Sequence, residues 1–205
     1  MLFFFGLVPP GTFDLCGSDK LQELESVRFT FNVEKNGELK ARRSWVYQPQ
    51  TKHLVRTVDG VRLEFQRGEP KTEQERVADA QFTNDFFWFH PPVQIYLASD
   101  DLKVTDGGAA KSPIHHDDTH RLLMSYRAEG GGYTPGDSYE LYLDDAGKIV
   151  EWSYHKAGAP EPTLTNTFEQ YQQVGPLRIA TEHLSADKTF HLFFQDVAVE
   201  PLGSN

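Results

Sequence analysis

Short segments of alternating apolar and polar residues, separated by tight-turn signals, constrain the fold of this chain most strongly. The segment Val27–Val33 places Val27, Phe29, Phe31 and Val33 on one face of a predicted strand, since successive strand side chains point to opposite faces. Asn36–Gly37 and Asp59–Gly60 supply residues that readily adopt the positive φ of tight hairpins. Three further strands are predicted around these turns: Leu39–Tyr47, His53–Val58 and Val61–Gln66. Together the four strands form an antiparallel meander.

The second half of the chain shows the same alternation. His120–Arg127 is predicted as a strand, and five more follow: Asp137–Leu143, Ile149–Lys156, Thr163–Gln172, Leu177–His183 and Thr189–Val199. The polar segment Ala98–Thr119, with Gly107–Gly108 and many aspartates, is predicted to be an exposed loop. The chain is therefore predicted to be mainly β, a strongly curved antiparallel sheet of about ten strands.

A helical insertion with a dense aromatic cluster separates the two sets of strands. The segment Gln81–Leu97 contains Phe82, Phe86, Phe87, Trp88, Phe89 and Tyr96. A helix is predicted over Lys71–Phe89, ended by His90–Pro91 because the residue before a proline disfavours helical backbone angles. Val93–Leu97 fits a second short helix or a strand equally well. We expect residues 70–97 to form an apolar lid on the sheet.

Composition limits the classes of partner. The 205 residues include 30 Asp and Glu against 20 Lys and Arg, a formal net charge of −10. Nucleic acids and anionic membranes require a basic surface, so the charge argues against both as direct partners. One domain over residues 1–205 is predicted, because all-β domains often reach about 200–250 residues. No run of residues approaches the roughly 18 apolar residues of a membrane-spanning helix.

The N-terminal segment, residues 1–18, allows two interpretations. Its apolar start, MLFFFGLVPP, is compatible with the remnant of a signal peptide, and Cys16 would then be a candidate for lipid attachment. However, the residues before Cys16 are bulky or charged, whereas small residues are expected before an acylated cysteine. The alternative is a packed N-terminal segment with a buried thiol, the usual environment of a free cysteine. As the one cysteine of the chain, Cys16 forms no internal disulfide.

In strand order and pattern, the chain resembles the LolA/LolB-like superfamily of bacterial lipoprotein carriers and receptors. The resemblance rests on LQELESVRFTFNVEKNGELKARRSWVYQP, VRTVDGVRLEF, the helical insertion, YELYL with GKIV, and the closing pair PLRIATEH and FHLFFQDVAV. It implies an open, highly curved antiparallel half-barrel with helices on the concave side and an apolar cavity between them. In the carrier, the corresponding strand carries an arginine that is associated with lipoprotein binding. Arg43 lies on that strand, but the sequence pattern does not align Arg43 with that arginine.

The resemblance implies non-enzymatic binding or transport of a hydrophobic ligand in the cell envelope, most simply the periplasm. The implied partner is a hydrophobic small molecule or an acylated protein, with peripheral membrane contact possible and no cofactor or metal. The candidate ligand-binding residues are Phe29, Phe31, Trp45, Tyr47, Phe86, Phe87, Phe89, Tyr126, Trp152 and Phe194. These aromatics also fit a second hypothesis, a structural envelope protein with a filled core, because aromatic side chains dominate buried area in any domain.

A third hypothesis, from a different class, is a small metal-dependent hydrolase. The segment His115–His120 holds three histidines and two aspartates, ligand types that suit zinc. Adjacent histidines on a strand point to opposite faces, and no second cluster at useful spacing completes a site. A solvated loop is therefore the preferred interpretation of this segment, and no catalytic residue is assigned.

Overall fold

The computed structural model describes residues 16–96, 102–129 and 135–203. A 3-10 turn at Ser18–Glu23 precedes the first strand, and the two α-helices are α1 (Glu73–Phe89) and α2 (Pro91–Tyr96). The strands in this part of the chain are β1 (Leu24–Lys35), β2 (Glu38–Gln48), β3 (His53–Val58), β4 (Val61–Gln66), β5 (Leu102–Lys111), β6 (Asp118–Tyr126), β7 (Ser138–Leu143), β8 (Ile149–His155), β9 (Leu164–Thr167), β10 (Glu169–Val174), β11 (Leu177–Leu184) and β12 (Phe190–Pro201).

The first and last strands meet at the centre of a seven-stranded antiparallel sheet. Its order is β10-β11-β12-β1-β2-β3-β4, and β1 pairs with β12 on one side and β2 on the other. The hairpins form at the two predicted turns, where Asn36 and Gly37 have φ 53° and 76° and Asp59 and Gly60 have φ 48° and 78°. Two consecutive positive φ values match the strand twist across a two-residue turn, which fixes the register of both hairpins.

The remaining strands form a five-stranded antiparallel sheet in the order β5-β6-β7-β8-β9. Its first strand lies within the segment Ala98–Thr119, so the prediction of a loop there is wrong for residues 102–111. Strand β5 contains few apolar residues, so its strand propensity is weak. It is an edge strand held by its backbone pairing with β6, and this pairing overrides the weak propensity. A Cβ at Gly107 would lie 2.9 Å from the Arg121 carbonyl oxygen, which explains a glycine in this strand.

The chain passes from one sheet to the other at Phe168. The segment Thr163–Gln172, predicted as one strand, is two strands, β9 in the five-stranded sheet and β10 in the seven-stranded sheet. The Phe168 ring between them is buried, 5.2 Å from the Trp152 ring and 4.4 Å from the His183 ring. The described residues therefore form twelve strands in two sheets, where about ten in one sheet were predicted. The mainly β, antiparallel, unclosed fold is confirmed.

The helical insertion forms close to where the sequence predicts it. Helix α1 starts two residues later than predicted, at Glu73, and ends at Phe89 as expected. The segment Val93–Leu97, which fitted a helix or a strand equally well, is helical as far as Tyr96, where the short helix α2 ends. Leu97 lies outside the described residues. None of the described helices has both the length and the apolar content needed to span a bilayer.

Candidate ligand-binding site

Helix α1 is a well-capped helix with an aromatic C-terminal half. At its start, the Thr72 hydroxyl accepts a hydrogen bond from the Glu75 amide at 3.2 Å, and the Glu75 carboxylate accepts one from the Thr72 amide at 3.0 Å. This reciprocal capping box satisfies two amides that would otherwise lack partners at the helix end. At the other end, the helix stops at His90, which precedes Pro91. The cap thus sets the residue at which α1 begins.

One stripe of α1 packs on the seven-stranded sheet. Phe82, Phe86 and Phe89 follow helical spacing along it. The Phe89 ring stacks on Phe29 of β1 with centroids 4.3 Å apart, and the Phe82 ring meets Trp45 of β2 edge-on at 5.3 Å. Burial of such a ring stabilises the packed helix by about 2–3 kcal/mol.

Other side chains of the same helix pack on the five-stranded sheet. The Phe87 ring lies 4.8 Å from Tyr139 of β7 and 5.1 Å from Trp152 of β8. The Trp88 ring meets Trp152 edge-on at 4.3 Å. Helix α1 is thus inserted between the sheets, and its rings fill the space that they enclose. We call this set of rings from α1 and both sheets the aromatic interior.

A buried ion pair joins α1 to β2. Both oxygens of Asp85 accept hydrogen bonds from Arg43, with Nε–Oδ2 and Nη2–Oδ1 distances of 2.7 Å. Asp85 also accepts a hydrogen bond from Trp45 Nε1 at 2.9 Å, and the Arg43 guanidinium lies 4.6 Å above the centre of the Phe31 ring. The Asp85 side chain is 0% exposed and that of Arg43 17%. The carboxylate is therefore fully desolvated and depends on these partners.

A second ion pair joins α1 to the segment after β4. Arg67 donates from Nε to Asp79 Oδ1 at 3.2 Å and from Nη2 to the Thr83 hydroxyl at 2.9 Å. Its guanidinium also lies 4.9 Å above the centre of the Phe82 ring. Asp79 is buried, like Asp85. Two acidic residues of α1 are thus held by arginines from the seven-stranded sheet or from the segment that leaves it.

Two buried polar atoms in the aromatic interior lack hydrogen-bond partners among the described residues. They are Trp152 Nε1 and His183 Nε2. Burial lowers the pKa of His183 to about 3, although a hydrogen bond to the Thr167 carbonyl favours the charged form. An unsatisfied buried polar group costs about 1–3 kcal/mol. The aromatic interior is therefore apolar but contains two polar atoms without a hydrogen-bond partner among the described residues.

A buried histidine anchors the junction between α1 and α2. His90 Nε2 lies 3.0 Å from the Cys16 carbonyl oxygen, so this nitrogen carries the proton, and Nδ1 faces the Ser18 hydroxyl at 3.5 Å. Burial lowers the pKa of His90 to about 4. Cys16 is itself buried, as the packed-thiol interpretation expects, and burial raises its pKa to about 11. Residues 1–15 of the N-terminal segment lie outside the described residues.

The structure brings the ten predicted ligand-binding residues together in one cluster. Nine of them are buried, namely Phe29, Phe31, Trp45, Tyr47, Phe86, Phe87, Phe89, Trp152 and Phe194, and Tyr126 is partly buried against the same core. Tyr126 lies at the margin, with its ring 6.4 Å from that of Tyr139. The ten residues pack on one another and on α1, so an acyl chain would enter their space only if the helix moved.

Three grooves on the surface border the described part of the fold. They have volumes of about 390, 310 and 320 Å³. The first lies against β2, β3 and α1, the second against β3, β4 and α1, and the third on β5, β6, β7 and β8. None of the ten predicted residues lines any of these three grooves.

The predicted His and Asp cluster does not converge on a site. His115 Nδ1 lies 2.8 Å from Glu151 of β8, whereas Asp118 pairs with Lys111 at 2.8 Å and His120 with Asp106 at 2.8 Å. The described residues contain no group of three His, Cys, Asp or Glu side chains that could hold a metal ion.

Glu151 explains the position of His115 in structural terms. Its buried carboxylate accepts hydrogen bonds from the Ser112 hydroxyl and from the Ile114 and His115 amides. Ser112 thus donates its hydroxyl hydrogen to the Glu151 carboxylate and not to His115. Glu151 closes the turn between β5 and β6.

Asp79, Asp85 and Arg67, which take part in the two ion pairs that join α1 to the rest of the fold, were not predicted from the sequence. The signal was present in the helical spacing, since Asp79, Phe82, Asp85 and Phe89 lie three or four residues apart and share the stripe that packs on the sheet. A carboxylate within an apolar stripe requires a buried partner. The arginine that pairs with each aspartate was not predictable, because the pairing depends on how the helix is placed against β2 and β4.

Two unclosed antiparallel sheets around an inserted aromatic helix define a LolA-like fold. A LolA superfamily protein from Nitrosomonas europaea matches with a TM-score of 0.51 and 10% sequence identity, over 92% of this chain and 93% of that chain. A DUF1329 family protein from Desulfovibrio piger matches with a TM-score of 0.47 and 10% identity, over 97% and 96%. No protein-family model and no curated protein matches the chain. At this identity, the likeness to the Nitrosomonas protein establishes the fold alone.

Proposed function

We propose that the protein binds the hydrophobic chain of a lipid or of an acylated protein, without catalysis, in the cell envelope. The observation that carries this proposal is the insertion of α1 between the sheets, where its rings occupy the aromatic interior. Movement of this helix would expose rings of both sheets at once. Residues 1–205 would act as one binding domain, with residues 70–97 as its lid.

The contacts of α1 support a helix that moves. Asp85 and Asp79 are buried on its packed side and are held by arginines, where an apolar residue would stabilise a permanent core as well or better. Ion pairs of this kind are specific to one arrangement of the helix. Once α1 leaves, water solvates both partners, which offsets part of the lost attraction. The ion pairs thus define the closed position without making it irreversible.

The two unsatisfied atoms in the interior also support the proposal. Trp152 Nε1 and His183 Nε2 contribute nothing to a permanent core and destabilise it. The carbonyl or ester oxygen of an acylated ligand would supply an acceptor for Trp152. Apolar burial would supply the affinity, at about 25 cal/mol per Å² of surface removed from water.

The uptake rate of a fluorescent fatty-acid probe tests the lid directly. Asp85→Asn removes the charge that holds Arg43, so we expect faster uptake, by about tenfold if opening becomes easier by about 1.4 kcal/mol. The matched control is Glu200→Gln, which also removes the carboxylate of an arginine pair, but at an exposed site on β12, and should leave the rate unchanged. Absence of probe binding by both the wild type and Asp85→Asn would contradict the proposal.

A second candidate function, a structural envelope protein, is favoured by one observation. The ten predicted residues pack on one another and line none of the three grooves. In that case α1 is a permanent part of the core. The uptake experiment separates the two functions, because a protein with a permanent core binds no probe, either as the wild type or as Asp85→Asn.

A further inference from the structure

The inner face of β2 and β3 changes from apolar to cationic toward one end. Trp45 of β2 and Arg56 of β3 are paired residues in neighbouring strands, so they share a face, and Trp45 packs on α1. Arg43 lies two residues from Trp45 and therefore on the same face. Two guanidiniums thus stand where this face leaves the aromatic interior.

The groove of about 390 Å³ lies at this end. Its lining includes Lys40, Arg42, Arg43 and Arg56 against a single acidic residue, Asp59. This concentration of positive charge contrasts with the chain as a whole, which has a net charge of −10. A local field of this sign attracts anions even on an acidic protein.

Much of the positive charge in the groove has no carboxylate partner. Lys40 pairs with Glu38 and Arg43 with Asp85, but neither Arg42 nor Arg56 makes an ion pair with any described residue. Arg56 donates from Nη1 to Gln81 of α1 at 2.8 Å, and its Nε is buried without a hydrogen-bond partner among the described residues. Burial lowers the pKa of Arg56, and repulsion by the positive charge of the neighbouring Arg43 lowers it further.

An apolar path adjoins the same arginine. The groove of about 310 Å³ is also lined by Arg56, together with the apolar Val61, Leu63 and Val77 and the polar Arg62, Glu73 and Gln74. Val61 and Val77 are exposed hydrophobic residues. Arg56 is therefore common to a cationic groove and an apolar groove, both of which lie against α1.

We infer that the cationic groove binds the anionic headgroup of an amphiphile, a carboxylate or a phosphate, with Arg56 as its principal donor and Arg43 beside it. The inference rests on the proposed function, since the chain of the same molecule would lie in the aromatic interior. Guanidinium groups suit both anions because their planar donors match pairs of oxygens. Arg43 uses Nε and Nη2 on Asp85 and keeps Nη1 for a further acceptor.

Paired probes separate headgroup recognition from chain binding. Calorimetry in phosphate-free buffer compares oleate with oleyl alcohol, which has the same chain and no charge, on the wild type, Arg56→Met and Arg28→Met. Arg28 is the matched control because it is an exposed arginine of β1, paired with Glu200. We expect the wild type to prefer oleate, and Arg56→Met to weaken oleate binding by about tenfold while leaving oleyl alcohol unchanged. Arg28→Met should alter neither affinity.

Two results would overturn the headgroup site and leave the proposed function intact. They are equal affinity of the wild type for both probes, and an equal loss for both probes in Arg56→Met. If neither probe binds the wild type, the proposed function fails, and inorganic phosphate alone then tests the groove. If phosphate binds the wild type but not Arg56→Met, the groove is a site for a free anion. If phosphate does not bind the wild type either, the anion site is rejected together with the proposed function.

Discussion

At the residue scale, the pair of Arg43 and Asp85 is a buried contact that holds α1 against β2. Asp85 is fully buried, so Arg43→Met would leave an uncompensated charge and should lower the free energy of unfolding by about 3 kcal/mol. Adding Asp85→Asn to that variant should restore more than about 1 kcal/mol, because the buried charge is then gone. Chemical denaturation of the two single variants and the double variant measures this coupling.

The exposed pair of Arg28 and Glu200 supplies the control for that cycle. Arg28→Met should change the free energy of unfolding by less than about 1 kcal/mol, as exposed ion pairs do. If the effects of Arg43→Met and Asp85→Asn simply add, the two side chains do not interact energetically, and the ion pair does not hold the helix.

The buried histidines make stability depend on pH at the same scale. Burial lowers the pKa of His183 to about 3 and that of His90 to about 4, from an ordinary 6.5. Between the folded and the unfolded pKa of each histidine, the unfolded chain binds a proton that the folded chain excludes. The free energy of unfolding is therefore unaffected by the two histidines above about pH 6.5 and decreases below it, down to about pH 4 for His90 and about pH 3 for His183. Each histidine contributes a slope of at most about 1.4 kcal/mol per pH unit.

His183→Asn should flatten the dependence of unfolding free energy on pH between about 6.5 and 4, since the amide keeps a donor without the titration. Thr51→Ala, a change at an exposed turn residue without a titratable side chain, should leave the slope as it is. Urea denaturation at several pH values measures both. An unchanged slope in His183→Asn would show that His183 does not exclude protons in the folded state.

At the scale of elements, α1 should open more easily than the central strands. Its contacts with the rest of the fold are made by side chains, through ring packing, two ion pairs and hydrogen bonds such as that from Arg56 to Gln81, whereas β1 is hydrogen-bonded through its backbone to β2 and β12 along its length. Hydrogen exchange should therefore be faster in the amides of α1 than in those of β1. Thr72→Ala removes half of the capping box and should lower the stability of the helix by about 1 kcal/mol, with faster exchange in α1 alone.

Mass-spectrometric hydrogen exchange of the wild type and Thr72→Ala measures this difference. Thr51→Ala, in the turn between β2 and β3, is a matched control that should leave exchange in α1 unchanged. Equal exchange of α1 and β1 in the wild type would mean that the helix opens only with the whole fold, which rules out a lid.

The elements also show which parts of the fold could be predicted from the sequence. The hairpins at Asn36–Gly37 and Asp59–Gly60 and the bounds of β3 and β4 follow from local turn chemistry and alternation, and the structure has them as predicted. β5 was missed because it is an edge strand with few apolar residues, so it shows little alternation, although it pairs with the next strand in the chain. The break at Phe168 was missed because β9 and β10 pair with different sheets, which the local pattern does not show. An apolar helical insertion against the sheet was predicted from the sequence, but the packing of its rings on two separate sheets was not.

At the scale of the whole molecule, the structure is a LolA-like fold with α1 between two sheets. The rings that the sequence identifies as ligand contacts are the rings that the helix covers. Under the proposed function, ligand and helix would compete for one space. On this account the apparent affinity for a lipid is reduced by the free energy needed to displace the helix.

Native mass spectrometry of protein purified without detergent, followed by organic extraction, tests this account most directly. The account predicts a discrete additional mass on the folded chain that extracts as lipid, or uptake of one fatty-acid molecule per chain by protein that is purified empty. A clean unliganded mass together with no uptake of the fatty-acid probe would contradict it and leave the permanent core as the function of α1.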